Sequence, residues 1–328
     1  GGRLNLYNTH SLKSFNGLNN LHKIGADLFI KVHVDPNTSY SEKIGGPNFT
    51  SFTGLNSLQE IGGNFTLVGS TYIWSRGQKV SLFQELENLS KIGGDFKLLA
   101  HNTYNSSMSD SEFHCFSNLE SLDGFNGIKE VGGSLLVKNT SKYYKDVFPK
   151  LQDPLHLDNL EIVGGNIEPR VRVIAPNIIS IGGTATTLDM SNVPKLTTIN
   201  SDLDISNETT INAESLTSIN GMLRLHNIDN LQCFPNLQTV MSLSLENCSN
   251  IELGSLTTIN EDFSISECSD INIPSLSTIG GNLLITKCNW DNLVGFSKIS
   301  NVTSITISDC PSLYNFCPLK PLVENMSG

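Results

Sequence analysis

The chain has 328 residues, of which 38% are hydrophobic and 16% charged, and its formal net charge is −11. That apolar content combined with so few charges excludes an intrinsically disordered chain. The acidic balance argues against sequence-independent nucleic-acid binding, which depends on cationic contacts to phosphate, so no nucleic-acid partner is predicted. No apolar run reaches the roughly 18 residues of a membrane-spanning helix, so no transmembrane segment is predicted either.

The sequence repeats itself along nearly its whole length. Residues 256–268 and 276–288 carry apolar residues and a final cysteine at the same places, twenty positions apart. Twelve such repeats can be anchored on the apolar residue that precedes a turn. The anchors are Ile24, Ile61, Ile92, Val131, Val163, Ile181, Ile199, Ile219, Val240, Ile259, Ile279 and Ile299.

Two apolar patterns flank each anchor. Before the anchor, apolar residues mostly step back by three, as in the segment 52–61. This spacing favours a 3₁₀-like wall over an α-helix, whose period is about 3.6 residues. After the anchor, apolar residues alternate, as at Phe65 and Leu67, which is typical of a strand with one buried face.

The residue after most anchors is Gly or Asn. Gly62 and Gly93 occupy this position in early repeats, and Asn220 and Asn260 occupy it in later ones. Both residue types tolerate positive φ better than others do. We therefore predict a left-handed corner at this position of each repeat.

A repeat of about twenty residues with one short strand is too small to bury its own apolar side, whereas stacked repeats share a continuous core. The predicted fold class is therefore all-β: a right-handed parallel β-solenoid of about 12 coils of about 20 residues. We predict a single domain in which residues 1–162 form coils with long loop inserts, 163–312 form regular coils and 313–328 form a C-terminal cap.

Both ends of the sequence fit this scheme. Residues 1–6, GGRLNL, match GGNFTL at 62–67, so the sequence starts within a coil. An open coil exposes an unpaired strand edge, which predicts end-to-end association. At the other end Pro318 suits the first turn of a capping helix. The predicted apolar face of this helix consists of Leu319, Leu322, Val323 and Met326.

The phrase L-x-x-I-G-G-x-L-x-I, as in LQEIGGNFTL at 58–67 and LSTIGGNLLI at 276–285, resembles receptor L domains. It also resembles the leucine-rich surface proteins of bacteria and, more loosely, fungal cell-wall proteins with L-domain-like repeats. The resemblance covers almost the whole chain and implies a leucine-rich-repeat or receptor L-domain-like β-helix. Families built on this repeat mostly bind other molecules. The resemblance therefore implies a binding or adhesion module, secreted or on the cell surface, and anchored in the outer membrane if bacterial.

The first half of the chain carries additional residues in each repeat. Its anchor spacings are 37, 31, 39 and 32, against 18 to 21 in the second half, which places inserts near 31–50, 68–81, 99–118 and 138–153. These inserts hold five of the seven tyrosines, and tyrosine and tryptophan are common anchors of recognition surfaces. The alternative is that these aromatic residues only pack the inserts against the solenoid. The candidate ligand-binding residues, for a protein or glycan ligand, are Tyr40, Tyr72, Trp74, Arg76, Tyr104, Tyr143 and Tyr144.

Four cysteines occupy one repeat position: Cys248, Cys268, Cys288 and Cys310. They could form a metal or redox ladder, or a stack of small buried hydrophobic side chains. A linear ladder without C-x-x-C cannot surround a metal tetrahedrally, which favours the buried stack. We therefore predict reduced, inaccessible thiols, with no metal and no cofactor.

The sequence contains no G-x-S-x-G, phosphate-binding loop or H-E-x-x-H motif, and we predict that the protein is not an enzyme. The main alternative is a polysaccharide-active β-helix enzyme, since Asp202 and Asp204 would share one strand face. A passive structural spacer is the second alternative.

Replacing Trp74, Tyr104 and Tyr144 with Ala, one at a time, tests the insert loops. If these side chains contact a ligand, each substitution should weaken binding on glycan or extracellular-protein arrays while leaving the melting temperature within about 2 °C of the wild type. Three variants that melt earlier but bind normally would contradict the assignment.

Overall fold

The fold is seen in a computed structural model that places strands and short helices along much of the chain. Within the described residues it is mostly strand, with short 3₁₀ helices and one α-helix of seven residues. None of the helices in this part of the chain has the length and apolar character needed to cross a membrane. The described residues are 1–7, 12, 14–31, 51–70, 83–101, 123–139, 154–169, 172–185, 188–207, 211–231 and 234–326.

The chain divides into two compact units. The first comprises residues 1–176 and 187–189, and the second comprises residues 177–186 and 190–328. Both units are built from parallel strands, so the predicted all-β, parallel character is confirmed.

The strands of the first unit are short and all parallel. They are β1 (Leu4–Tyr7), β2 (Lys23–Ile24), β3 (Leu28–Lys31), β4 (Glu60–Ile61), β5 (Phe65–Ser70), β6 (Lys91–Ile92), β7 (Phe96–His101), β8 (Glu130–Val131), β9 (Leu135–Asn139), β10 (Leu155–His156), β11 (Ile162–Val163), β12 (Ile167–Pro169) and β13 (Val173–Ile174). One sheet has the order β1-β3-β5-β7-β9-β12, and the two-residue strands pair in the order β2-β4-β6-β8-β11. β10 pairs with β13.

Successive repeats of the first unit are in register. Ile24 lies beside Ile61, Ile61 beside Ile92, Ile92 beside Val131 and Val131 beside Val163. These five anchors are all buried, so the sequence period corresponds to the spacing between neighbouring strands.

The segments with apolar residues at every third position form turns of 3₁₀ type, as predicted. The Leu55 N–H donates to the Phe52 carbonyl at 2.9 Å, and the Leu58 N–H donates to the Leu55 carbonyl at 2.9 Å. A bond from residue i to i−3 puts every third side chain on the same side, which is why these positions are apolar. The 3₁₀ helices are Gln84–Leu86, Asp123–Phe125, Met190–Asn192, Val294–Phe296 and Cys317–Leu319.

Phenylalanines fill the core of the first unit. The ring centroids of Phe52 and Phe83 are 5.6 Å apart, and those of Phe83 and Phe125 are 4.3 Å apart. Phe65 stacks on Phe96 at 5.4 Å with an interplanar angle of 8°. Equivalent side chains of neighbouring repeats thus contact one another, and aromatic pairs at such distances are favourable beyond the area they bury.

The second unit has longer strands and shorter connections. Its strands are β14 (Ser180–Ile181), β15 (Thr198–Ile199), β16 (Leu203–Ser206), β17 (Ser218–His226), β18 (Asp229–Leu231), β19 (Thr239–Glu246), β20 (Ser249–Glu252), β21 (Thr258–Ile259), β22 (Phe263–Ser266), β23 (Ser269–Asn272), β24 (Thr278–Ile279), β25 (Asn282–Thr286) and β26 (Ser304–Ser308). The main sheet of this unit runs β14-β15-β17-β19-β22-β25-β26, and a separate sheet runs β18-β20-β23.

A helix follows the last strand, as the sequence predicted. The 3₁₀ turn Cys317–Leu319 carries Pro318 in its first turn and continues into α1, Lys320–Met326. Leu319 and Leu322 are buried, but Val323 is 52% exposed. The predicted apolar face is therefore correct for Leu319 and Leu322 and wrong for Val323, because residues 322 and 323 are about 100° apart around a helix.

The predicted left-handed corner after each anchor is wrong. Gly17 and Gly54 are the described glycines with positive φ, so Gly62 and Gly93 do not have it, and neither do Asn220 and Asn260. Glycine is required for a different reason in the early repeats. A Cβ added at Gly93 would collide with the carbonyl oxygen of Gly62 in the neighbouring repeat.

Six of the nine non-glycine residues with positive φ in the described chain lie instead directly after strands of the second unit. Their φ angles are between 50° and 57° at six equivalent positions, one repeat apart. Asparagine suits this conformation, and neighbouring side chains support one another: Asn247 Nδ2 donates to Asn227 Oδ1 at 2.6 Å, and Lys287 pairs with Glu267 at 2.9 Å. The six residues are Asn207, Asn227, Asn247, Glu267, Lys287 and Asp309.

Substitution of Gly93 tests the close approach of the repeats. Gly93→Ala should lower the free energy of unfolding by about 1–3 kcal/mol, because the added methyl group must displace the neighbouring backbone. Gly254→Ala is the control, since a Cβ there meets nothing within 4 Å. Chemical denaturation measures both, and equal stabilities for the two variants would contradict the explanation.

Candidate functional site

The insert residues predicted to bind a ligand lie outside the described part of the chain. This holds for Tyr40, Tyr72, Trp74, Arg76, Tyr104, Tyr143 and Tyr144. Their assignment stays a prediction, and the described residues offer a different candidate.

This candidate site is formed around Trp290, a residue of the second unit that does not adopt the positive φ found at the equivalent positions of earlier repeats. In the sheet β18-β20-β23, the second residue of each strand has positive φ: 64° at Asn230, 51° at Asn250 and 52° at Asp270. Trp290 occupies the equivalent position of the next repeat, two residues after Cys288, and its φ is not positive. A large side chain disfavours the left-handed conformation, whereas Asn and Asp accept it.

The chain consequently leaves this sheet at Trp290. β23 pairs with β20 on one side, and no strand in the described part of the chain pairs with it on the other. Ile251 of β20 is fully buried, but its partner Ile271 in β23 is partly exposed. The segment after Trp290 forms the 3₁₀ helix Val294–Phe296 instead of a strand.

A cleft of about 380 Å³ lies between β23 and the diverging segment. This volume is within the range of small-molecule sites, which begins at about 300 Å³. Leu293 and Phe296 are buried in its wall, and Val294 is 63% exposed. The polar residues that line it are Ser269, Asp270, Asn289, Asp291 and Asn292.

Hydrogen bonds hold several of these polar groups in place. Asn292 Nδ2 donates to Asp291 Oδ1 at 2.5 Å, and Asn292 Oδ1 accepts from the Val294 N–H at 3.0 Å. The Ser312 hydroxyl donates to Asn289 Oδ1. Fixed amide and carboxylate groups reduce the ordering that a ligand would have to impose.

Trp290 contributes an aromatic ring to the cleft, while its indole N–H is buried. Its ring lies 5.8 Å from that of Phe296, at an interplanar angle of 33°. Trp290 Nε1 is buried, and no described residue accepts a hydrogen bond from it. A buried donor without a partner costs about 1–3 kcal/mol of stability.

No family model, curated protein or solved structure matches this chain. The cleft therefore has to be interpreted from its own chemistry.

The cleft was missed by sequence reasoning, although the sequence contains a signal for it. Asn230, Asn250 and Asp270 recur at a regular spacing of twenty residues, and Trp290 stands at the next position in place of Asn or Asp. The interruption is visible only once the left-handed positions are known, and these had been predicted at the wrong corner.

The cysteine ladder forms as predicted, apart from one position. Cys248, Cys268 and Cys288 are buried and free, and Cys310 is free but partly exposed. Among the described residues, no group of acidic, histidine or cysteine side chains could hold a metal ion. The three buried cysteines are part of the core, and their sulfurs lie near the strand backbone: Cys288 Sγ is 3.3 Å from the Thr286 carbonyl oxygen.

The two carboxylates suggested for the enzyme alternative have other partners. Asp204 pairs with Arg224 at 3.1 Å in the neighbouring repeat. Asp202 Oδ1 accepts the Met222 N–H at 2.8 Å. Both carboxylates therefore join adjacent repeats.

Thiol labelling tests the ladder. Burial raises the pKa of the Cys288 thiol. The pKa of the Cys268 thiol is raised mainly by a hydrogen bond with Cys248 and, to a smaller extent, by burial. Alkylation requires the thiolate, so at neutral pH Cys268 and Cys288 should react at least tenfold more slowly than the exposed Cys317. The hydrogen bond with Cys268 lowers the pKa of Cys248 to about 6, so any protection of Cys248 must come from its burial alone. Peptide mapping after brief alkylation measures this, and a disulfide within the ladder would contradict it.

Proposed function

We propose that the protein is a non-catalytic binding or adhesion module of the cell surface or of a secreted protein. The observation that carries this proposal is the cleft at Trp290, where one repeat departs from a regular sheet and leaves a concave site with aromatic and polar walls. Regular repeats offer mainly short polar side chains, so such a departure supplies aromatic and apolar anchors that a regular coil does not.

The scaffold in this proposal is a right-handed parallel β-solenoid with leucine-rich-repeat or receptor L-domain-like coils. Three features support it: the in-register anchors, the parallel pairing of each strand with its equivalent in the next repeat, and the shared core of equivalent side chains. Repeat proteins of this type present extended binding surfaces, which suits a module that recognises another molecule.

The chemistry of the described residues favours binding over catalysis. Asp202 and Asp204 have the partners given above, and a polysaccharide-cleaving site would need carboxylates free to act on a glycosidic bond. The ligand in this proposal is a protein or a glycan. If the protein is bacterial, an outer-membrane anchor would place the module at the cell surface.

Array binding tests the proposal. The purified chain should bind a restricted set of ligands on a glycan array and an extracellular-protein array, with saturation as its concentration rises. Trp290→Asn and the three insert substitutions, tested on the ligands found, should show whether the cleft or the insert loops contribute the contacts.

Two outcomes would contradict the proposal. Release of reducing ends from polysaccharide substrates would support the β-helix enzyme instead. Absence of binding on both arrays, by protein whose melting is cooperative, would support a passive spacer.

A further inference from the structure

We propose that the Trp290 cleft is a binding site for a neutral carbohydrate, in which one sugar ring lies between the indole and the open edge of β23. This inference rests on the proposed binding function and names the ligand class of one site within it.

The polar groups of the cleft require a ligand that both donates and accepts hydrogen bonds. Asn289 is exposed at the cleft and its Oδ1 accepts the Ser312 hydroxyl, so its Nδ2 can donate to a ligand. Asp270 and Asp291 are acceptors when ionised, and both are exposed at the cleft. A hydroxyl group can serve both kinds of partner, whereas an ammonium or guanidinium group has no acceptor to offer the Asn289 amide.

The charge of the cleft selects against anionic ligands. None of the described lining residues is basic, and two carry carboxyl groups. A uronic acid, a sulfated sugar or a phosphate would meet like charges without a compensating cation.

The apolar part of the cleft suits the C–H face of a pyranose ring. Trp290 contributes an aromatic ring, and the exposed Val294 extends the apolar surface beside it. Sugars combine an apolar face with polar edges, so they match an aromatic wall flanked by carboxylates and amides. β23 has four residues, so a peptide added to its edge would form few main-chain hydrogen bonds.

The backbone explains why this site exists at one repeat. Asn at position 290 would restore the left-handed residue of Asn230 and Asn250 and let the segment continue the sheet beyond β23. Trp290→Asn should therefore close the cleft while preserving or raising the melting temperature. This separates loss of the site from loss of the fold.

The experiment is a titration with methyl glycosides of glucose, galactose, mannose and N-acetylglucosamine, followed by ligand-observed NMR. At least one should bind saturably to the wild type, with glucuronic acid at least tenfold weaker. Trp290→Asn should abolish binding. Trp290→Phe, which keeps an aromatic ring but offers a smaller face to the sugar, should weaken binding about five- to tenfold.

Asp270→Asn tests the charge argument without disturbing the backbone, because Asn250 holds the same left-handed conformation in the preceding repeat. This variant should bind neutral sugars within a few-fold of the wild type and should discriminate less strongly against glucuronic acid. Unchanged discrimination would show that the carboxylate does not face the ligand.

Several results would overturn the inference. Binding of a glycoside that survives Trp290→Asn would place the sugar site elsewhere, and preference for glucuronic acid would contradict the electrostatic argument. If no neutral sugar binds while the arrays still detect a ligand, the carbohydrate assignment fails and the proposed binding function stands. If a peptide binds and Trp290→Asn removes it, strand addition at β23 is the correct description.

Discussion

The structure depends on the in-register pairing of equivalent strands in successive repeats. Parallel neighbours in a sheet lie about 4.8 Å apart, and this distance recurs between every pair of matched residues. Each position of a repeat must therefore tolerate its own copy directly above and below it. Apolar residues satisfy this condition by stacking, as Phe65 does on Phe96.

The same spacing determines where small or left-handed residues are needed. In the first unit it brings the backbone of one repeat against the next, which excludes a side chain at Gly93. In the second unit the backbone turns sharply after each long strand, and Asn227 and Asn247 adopt positive φ there. Side-chain bonds between repeats add to the pairing: the Asp27 carboxylate accepts the Asn64 N–H at 2.9 Å, and Asn64 Oδ1 accepts the Asp95 N–H at 2.7 Å.

The candidate site follows from a local failure of this regularity. Trp290 replaces a left-handed Asn or Asp, so the strand that would have covered β23 does not form. This departure lowers stability, because it leaves a strand edge exposed, Ile271 partly exposed and the indole N–H without a partner among the described residues. Departures from an otherwise consistent pattern tend to occur at functional sites, because binding can compensate for the stability that they remove.

The sequence by itself determined the repeat, its anchors, the 3₁₀ segments, the parallel strands and the buried cysteines. Each of these features produces a regular spacing of apolar residues that can be seen in the sequence. Only the tertiary structure decided which corner is left-handed. Gly62 and Asn220 share a tolerance of positive φ, but the distance between neighbouring backbones shows that Gly62 is needed for space. The cleft also required the structure, since Trp290 is meaningful only beside the open edge of β23, which is formed by residues twenty positions earlier in the chain.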